Sequence, residues 1–319
     1  MSKKTVWDFE SSLALLERRF GSRITVDRSL ADFNTFGTGG AAKLLIEVRD
    51  AQELSGAVEI AAEHGIPFFM VGGGSNLLVS DIGYDGLIIK NSIMGLNVSG
   101  KNITAGAGEE LQTLVNFATD NALTGLEFAT GIWGTVGGAI YGNAGAYGGE
   151  TGEFLDSAEV VDRQGNIRTE GADYFEFSYR GSKLKKSGEF VTRATFALKE
   201  GKKEAIRKKI DEIMALRDDK FPIGLRSAGC FFKNIPDSSR EHGKLSTGML
   251  LEQVGAKAMR WGGARVFANH ANILINEGTA KSEDIKKLAA LMKSKVKEKF
   301  GIELQEEVIL LGDFKEDSL

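Results

Sequence analysis

The sequence predicts a mixed α/β protein of two domains, or of three small ones. A strand pattern, a capped helix and a second strand pattern follow one another between residues 43 and 71. Glycine-rich segments separate the later elements, and the composition shifts to a lysine-rich helical pattern at 199–209. The length of 319 residues, with 42% hydrophobic and 26% charged residues, is typical of a globular protein of this organisation.

The first predicted unit is strand–helix–strand. Residues 43–48 form a short apolar run of the strand type. Asp50 is placed to cap a helix, and Glu53 gives a capping-box pattern three residues later. The helix is expected to end at Gly65, before a strand over 66–71 and a further strand over 86–90.

The later elements alternate in type. The predicted helices span 109–122, a segment opened by the charge run at 199–209, and a segment capped by Ser282 and ended by Gly301. The second of these helices is expected to bury Ile206, Ile210, Ile213 and Met214. The predicted strands are 158–161, 167–169, 190–196 and 307–311. The charge run is interpreted as the solvated face of its helix.

Glycine is over-represented, with 40 residues against only 3 prolines. Two of its clusters, 72–76 and 131–138, follow or join predicted α/β elements. Backbone N–H groups in such loops can surround a diphosphate, and Ser75, Asn76 and Thr135 add donors. The spacing indicates a dinucleotide-like ligand, although tight β-turns alone would explain the clusters about as well.

Several function classes are disfavoured. The net charge of −4 argues against a dedicated nucleic-acid binder, and no apolar run has the length of a membrane span. The N-terminal residues lack the apolar core of a signal peptide, so we expect a cytoplasmic protein. His64, His242 and His270 are scattered, and no metal site is predicted. Residues 37–42 match the dinucleotide pattern G-x-G-x-x-A, but they precede a strand, and we reject a Rossmann site there.

Cys230 is the only cysteine of the chain. A single thiol forms no internal disulfide and is a poor basis for a zinc site. It follows Ala228-Gly229 and precedes two phenylalanines, which are followed by Lys233 and Asn234. Taken alone, it is interpreted either as a buried free cysteine or as an acid presented to an anionic substrate.

Six segments, in this order, resemble the UDP-N-acetylenolpyruvoylglucosamine reductases (MurB) across almost the whole chain. They are Asn34–Ala41, Val71–Leu78, Gly131–Ala139 with Asn143–Gly148, Tyr179–Ser182, Ala228–Asn234 and Gly301–Val308. The resemblance implies a flavoenzyme of peptidoglycan synthesis, in which NADPH reduces non-covalent FAD and the flavin reduces the enolpyruvyl ether of a UDP-sugar to UDP-N-acetylmuramate.

The implied fold class is α+β. It comprises a vanillyl-alcohol-oxidase-type FAD-binding domain over 1–200, with α/β subdomains of about 1–90 and 91–200, and an α+β substrate domain over 201–301. Residues 302–319 would return as a final strand to the FAD-binding region. The expected partners are the UDP-sugar and NADPH, with no nucleic acid or membrane insertion, and the protein is expected to be a monomer.

The resemblance also implies the site. Arg180, Cys230 and Glu307 match the catalytic residues, and Tyr179, Lys233 and Asn234 match substrate contacts. The residues matched to cofactor binding are Gly72, Gly73, Gly74, Ser75, Asn76, Gly134, Thr135, Gly137, Gly138 and Arg217.

Each catalytic residue has a chemical role in this interpretation. Hydride addition to the enolpyruvyl group pushes charge into its carboxylate, which a guanidinium such as Arg180 can grip. Glu307 could donate to the enolate only when protonated. Cys230 stands where the family commonly carries serine, and a thiol, with a reference pKa of about 8.5, is a stronger acid than an alkyl hydroxyl.

The chain departs from the family pattern at a few positions. Trp133 replaces a usual proline, Gly37 a common basic residue and Ile309 a typical arginine, and Arg226-Ser227 stands where Pro-Ser is frequent. No tyrosine-bearing insertion lies between Arg180 and Cys230, which indicates the shorter subtype. A related flavin oxidase with another substrate and a non-catalytic binding protein of the same fold remain alternative hypotheses.

Overall fold

The computed structural model describes residues 7–218, 224–240 and 243–314, and His242 lies outside this range. The chain divides into two compact units. Unit 1 comprises residues 1–28, 43–73 and 85–217, and unit 2 comprises 29–42, 74–84 and 218–319. These units are defined by compactness, and the domain bounds 1–200, 201–301 and 302–319 stay a prediction.

The helices range in length from a single turn to the 19 residues of the last one. They are α1 Phe9–Phe20, α2 Ala51–Glu63, α3 Leu111–Asp120, α4 Val136–Gly142, α5 Leu184–Ser187, α6 Lys203–Asp218, α7 Thr247–Gln253 and α8 Ser282–Phe300.

The strands are short. They are β1 Thr25–Ser29, β2 Ala41–Val48, β3 Phe68–Val71, β4 Leu77–Val79, β5 Tyr84–Asn91, β6 Leu96–Ser99, β7 Asn102–Gly106, β8 Leu123–Thr124, β9 Gly145–Ala146, β10 Gly149–Glu150, β11 Leu155–Val161, β12 Ile167–Gly171, β13 Phe190–Ala197, β14 Lys199–Glu200, β15 Ile235–Pro236, β16 Lys244–Leu245, β17 Arg260–Trp261, β18 Ala264–Val266, β19 Leu274–Asn276 and β20 Ile309–Leu311.

Two sheets carry most of unit 1. One has the strand order β1-β2-β5-β3, with β3 and β5 parallel. The other has the order β12-β11-β13-β7-β6, and its neighbours are antiparallel. Each sheet has its own apolar cluster. The first includes Leu44, Ile46, Leu54, Leu87 and Ile89, and the second includes Ile103, Leu114, Val136, Val160 and Phe196.

Unit 2 is organised around α8 and small sheets. The three-stranded sheet has the order β17-β18-β19, and β20 pairs in parallel with β4. Phe231 and Phe232 pack into the same apolar cluster as Ile285, Leu288 and Met292 of α8. Residues distant in sequence therefore build the core of this unit.

The local sequence signals account for most elements. Asp50 caps α2, accepting a 2.7 Å hydrogen bond from Glu53 N–H. The Glu53 carboxylate accepts from the N–H of Arg49, so the capping box closes one residue earlier than the pattern predicts. Gly301 ends α8 with φ +69, the left-handed geometry that favours glycine.

Several predicted boundaries are wrong by a few residues: the strand predicted at 66–71 begins at Phe68, and the helix predicted at 109–122 spans Leu111–Asp120. Two others bear on the site. The N-cap of α8 is Lys281, and Ser282 is its first helical residue. The Asp81 carboxylate accepts hydrogen bonds from Ser282 N–H at 2.9 Å and Glu283 N–H at 3.0 Å, which supplies the cap from a distant segment. The last strand begins at Ile309, so Glu307 precedes it.

Candidate functional site

The glycine loops of unit 1 approach each other closely. A methyl group added to Gly72 would lie 2.5 Å from Thr135 Oγ1, and one added to Gly73 would lie 3.1 Å from Gly134 Cα. The close contact between the two segments therefore favours glycine at both positions, which a turn alone would not explain. The close approach brings the predicted cofactor-binding residues of this unit together.

The second loop leads into α4. Thr135 is the N-cap, and its side chain accepts a 3.4 Å hydrogen bond from Gly138 N–H. The N–H of Gly137 is bonded to the carbonyl of Ala107 at 2.9 Å. Gly137 N–H is thus committed to the fold, and its role in cofactor binding stays a prediction.

Arg217 lies against the start of the second loop. Its Nη2 donates a 2.7 Å hydrogen bond to the carbonyl of Gly131, and its guanidinium lies 5.9 Å from the centre of the Tyr147 ring. Gly131 has φ +70. The Arg217 side chain therefore holds the second glycine loop by a hydrogen bond to the main chain of that loop.

Lys90 holds the first loop in a comparable way. This half-buried residue of β5 donates a 2.6 Å hydrogen bond from Nζ to the carbonyl of Gly72. Burial lowers the pKa of Lys90, and the nearby Glu47 carboxylate opposes that shift.

Gly74, Ser75 and Asn76 continue the first loop in unit 2. Gly74 has φ +65, and a methyl group there would overlap the carbonyl oxygen of Phe33. Any side chain at this position would displace the Phe33 backbone. Asn76 Nδ2 donates a 3.1 Å hydrogen bond to the carbonyl of Glu307.

Tyr179 and Arg180 occupy a tight turn in unit 1. Ser178 and Gly181 exchange two main-chain hydrogen bonds of 3.0 Å around them. Arg180 has φ +54, a conformation that costs a non-glycine residue free energy and often marks a functional position. Its Nη1 donates to the Gly145 carbonyl at 2.9 Å, and its guanidinium lies 5.6 Å from the centre of the Tyr179 ring.

Asn143 braces this turn, a positioning role that sequence reasoning missed. Its Nδ2 donates a 3.0 Å hydrogen bond to the carbonyl of Ser178, and its Oδ1 accepts from Gly152 N–H at 2.9 Å. The residue is buried and has φ +44. A signal exists in the sequence, because asparagine tolerates the left-handed position that ends a helix such as α4.

Cys230 and Glu307 lie on neighbouring segments in unit 2. The N–H of Glu307 donates a 2.8 Å hydrogen bond to the carbonyl of Phe231, and Lys233 N–H donates to Gln305 at 2.9 Å. Cys230 forms an isolated antiparallel bridge with Ile273, and its side chain is half-buried. The structure therefore brings the predicted proton donor and the predicted carboxylate onto adjacent main-chain segments.

Lys233 and Asn234 extend the same segment. The buried Thr247 hydroxyl donates a 2.6 Å hydrogen bond to the carbonyl of Lys233. Asn234 Oδ1 accepts from Thr247 N–H at 3.1 Å, so this oxygen helps to start α7. Both residues are half-buried, and their substrate contacts stay a prediction.

The predicted catalytic residues come from both units. Arg180 belongs to unit 1, and Cys230 and Glu307 belong to unit 2. Among the described residues, we find no group of three or more His, Cys, Asp or Glu side chains arranged to hold a metal ion. None of the helices in the described ranges combines the length and apolar character needed to cross a membrane.

Comparison with known proteins identifies the family. Residues 221–311 match the profile of the UDP-N-acetylenolpyruvoylglucosamine reductase C-terminal domain, and residues 42–171 match that of an FAD binding domain. The predicted fold class, a vanillyl-alcohol-oxidase-type FAD-binding domain with a C-terminal α+β domain, is confirmed by these matches and by the solved relative described next.

Full-length relatives agree with both profiles. The UDP-N-acetylenolpyruvoylglucosamine reductase of Caldicellulosiruptor bescii is 39% identical over 92% of this chain and 93% of its own. That of Lachnoclostridium phytofermentans is 37% identical over 91% and 94%. The crystal structure of the Thermus caldophilus enzyme (MurB) is 33% identical, covers 91% of this chain and 98% of its own, and superposes with a TM-score of 0.76. The chain therefore belongs to the family of UDP-N-acetylenolpyruvoylglucosamine reductases.

Proposed function

We propose that the protein reduces the enolpyruvyl ether of UDP-N-acetylglucosamine-enolpyruvate to UDP-N-acetylmuramate, with bound FAD and with NADPH as the reductant. The observation that carries this proposal is the pairing of the Cys230 and Glu307 segments through the 2.8 Å hydrogen bond from Glu307 N–H to the Phe231 carbonyl. It supports a shared role for the only thiol of the chain and a carboxyl group, one protonating the enolate and the other stabilising it.

The residues of the glycine loops fit a dinucleotide. The close contact of Gly73 with Gly134 disfavours a side chain at Gly73. Thr130 precedes the second loop, and its buried hydroxyl has no hydrogen-bond partner among the described residues. A ligand oxygen could satisfy that hydroxyl, and the backbone N–H groups of these loops suit a diphosphate.

Three side chains would then act on the substrate. Arg180 would bind the substrate carboxylate and stabilise the negative charge that grows on it. Glu307, in its protonated form, would donate a hydrogen bond to the enolate oxygen. The Cys230 thiol would give its proton to the carbon beside the ether oxygen, and solvent would return a proton to the thiolate.

Bound FAD would supply the hydride, whose addition to the terminal carbon of the enolpyruvyl group generates the enolate that Cys230 then protonates. The hydride and the proton together saturate the carbon–carbon double bond, so the electrons from NADPH end in the product. Lys233 and Asn234 would hold the diphosphate or carboxylate of the substrate, and Tyr179 would contact the substrate beside Arg180.

We further propose that the protein acts as a cytoplasmic monomer on these small molecules, without nucleic acid or membrane insertion. The net charge of −4 and the single cysteine support this proposal. Light scattering during size-exclusion chromatography tests the monomer, since a dimer would double the mass.

An absorbance spectrum and a coupled assay test the reaction. The purified protein should carry a flavin that is released on denaturation, and it should oxidise NADPH only when the enolpyruvyl UDP-sugar is present. Flavin that stays attached after denaturation would indicate a tethered oxidase instead. A colourless protein that takes up no FAD would contradict the proposed function.

A further inference from the structure

Lys90 lies on β5, beside the point where the neighbouring strand β3 enters the first glycine loop. It is the register partner of Val71 in the parallel pair β3–β5, and Val71 directly precedes Gly72. The three residues before Lys90 are buried and apolar, whereas Lys90 itself is half-buried. A lysine at the end of such a strand has its ammonium group drawn partly out of water.

The ammonium group binds the main chain of the first glycine loop. Lys90 Nζ donates a 2.6 Å hydrogen bond to the carbonyl of Gly72. The described chain has no cis peptide bond, so the Gly72 carbonyl and the Gly73 N–H point in opposite directions. While Lys90 holds the carbonyl on one side, the N–H of the exposed Gly73 faces the other.

The position of Gly73 is restricted as well. Its α-carbon packs against Gly134, where an added methyl group would lie 3.1 Å from Gly134 Cα. Gly72 is confined by Thr135 Oγ1 on its own side. The peptide between the two glycines is therefore held at both α-carbons, and the hydrogen bond from Lys90 sets its rotation.

A cation bonded to a carbonyl also changes the donor on the same peptide. The ammonium group polarises the peptide, which makes the Gly73 N–H a stronger donor to an anion. The partial burial that lowers the pKa of Lys90 makes its charge costly, and a negative ligand beyond Gly73 would offset that cost. The nearby Glu47 carboxylate offsets only part of it.

We propose that Lys90 is a positioning residue for the diphosphate of the bound dinucleotide. It turns the Gly72–Gly73 peptide so that the Gly73 N–H faces the ligand, and it places a positive charge one peptide behind that donor. This inference rests on the proposed function, because it requires that the glycine loops bind FAD.

The test compares FAD binding by three full-length variants with wild-type protein. Apoprotein of wild type, Lys90→Met, Lys90→Arg and Lys101→Met is titrated with FAD in a calorimeter. Lys101 is the matched control, because it is an exposed lysine of unit 1 paired with Glu200 at 3.6 Å. Lys90→Met should raise the Kd for FAD about tenfold, the size expected for loss of a charged hydrogen bond. Lys90→Arg should recover most of the loss, and Lys101→Met should bind like wild type.

Two further measurements separate positioning from general destabilisation. The melting temperature of Lys90→Met apoprotein should match that of the Lys101→Met apoprotein. The phosphorus NMR resonances of FAD bound to Lys90→Met should shift from their wild-type positions, because the donor that faces the diphosphate has moved. If Lys90→Met does not fold, Lys90→Gln replaces it, with the same expectations.

The outcomes are distinguishable. Wild-type protein that binds FAD, together with an unchanged Kd and unchanged phosphorus resonances in Lys90→Met, would overturn the inference alone. A raised Kd that Lys90→Arg does not recover, with a lowered melting temperature of the apoprotein, would overturn it in favour of a purely structural lysine. Wild-type protein that binds no FAD would overturn the proposed function and this inference with it.

Discussion

The side-chain amide of Asn76 donates a hydrogen bond to the main-chain carbonyl of Glu307 at 3.1 Å. In return, the N–H of Ile309 donates to the carbonyl of Asn76 at 3.0 Å. One residue of the first glycine loop therefore holds both sides of the segment that carries the predicted catalytic carboxylate. The sequence predicts a cofactor contact for Asn76, and the structure adds this second task.

Replacing Asn76 should slow turnover even when flavin is fully bound. Asn76→Ala removes the donor to the Glu307 carbonyl, and kcat should fall about tenfold as the carboxylate loses its fixed position. Steady-state rates at saturating FAD provide the measurement. Asn97→Ala, at an exposed position of β6, is the control and should leave kcat unchanged. Equal rates for Asn76→Ala and wild type would remove the positioning role.

Glu307→Gln should lower kcat about a hundredfold, since a glutamine amide donates a much weaker hydrogen bond to the growing negative charge than a protonated carboxyl group does. Reduction of bound flavin by NADPH should keep its wild-type rate, because the proposal gives Glu307 a role only toward the sugar substrate. Stopped-flow absorbance separates the two half-reactions. Glu306→Gln is a matched control, whose carboxylate pairs with Lys293 at 3.3 Å. A variant with normal turnover would rule out Glu307 as the donor.

Thiol chemistry gives a direct test of Cys230. Iodoacetamide can alkylate no other cysteine in this chain, and it should abolish sugar reduction while flavin reduction continues. Cys230→Ser should retain activity and resist the reagent, and Cys230→Ala should lose about a hundredfold in kcat. Mass spectrometry confirms the modification. An alkylated protein with full activity would refute the assignment.

Asn143 should matter to stability and to Arg180 separately. Asn143→Gly keeps the left-handed backbone but removes both side-chain hydrogen bonds, which should lower the free energy of unfolding by about 2 kcal/mol. Asn143→Ala should cost about 1 kcal/mol more because alanine disfavours φ +44. Urea titrations measure both values. Turnover should fall equally in the two folded variants, and a fall that tracks stability instead would argue against bracing of the Arg180 turn.

The buried carboxylate of Glu189, directly before β13, should account for part of the stability that the protein loses in acid. Burial acts to raise the pKa of Glu189, but hydrogen bonds from Arg168 and Tyr174 outweigh it, and the pKa is lowered. A lowered carboxyl pKa contributes stability above the pKa of the unfolded chain, and that stability is lost as the pH falls through the folded pKa.

Glu189→Gln should therefore be less stable than wild type at neutral pH, by about 1–3 kcal/mol for the lost charged hydrogen bonds. The difference should shrink as the pH falls below the ordinary glutamate value of 4.5. Melting temperatures across an acid pH series provide the measurement. A difference that is constant with pH would show that the ionised carboxylate contributes nothing.

Local signals in the sequence are sufficient for the elements that are stabilised locally. Asp50 caps α2 by accepting a hydrogen bond from the N–H of Glu53, three residues later, and the apolar run before Lys90 forms a buried strand. Ser282 shows where such reasoning fails. Its sequence context is that of a cap, but Asp81 satisfies the first N–H groups of α8 from 201 residues away. No local pattern carries that information.

The candidate site divides in the same way. The residues that resemble family motifs could be named from sequence, and their chemical roles stay predictions. The contacts that position these residues could not be predicted from the sequence, because Asn76 and Glu307 are 231 residues apart and meet only in the folded chain. Lys90 gives only a weak signal in the sequence, because it is a charged residue directly after the apolar run 87–89. A lysine in that position is equally typical of a strand that ends at the surface.

The pairing of β20 with β4 has a consequence for synthesis of the protein. Residues 29–42 and 74–84 of unit 2 leave the ribosome long before residues 309–311, which β4 needs as its parallel partner. Since chains emerge from the N-terminus, β4 lacks its parallel partner while the rest of unit 1 is made. The carboxylate of Glu307 enters the fold in the same late step, so a nascent chain cannot complete the catalytic segment of unit 2 before that step.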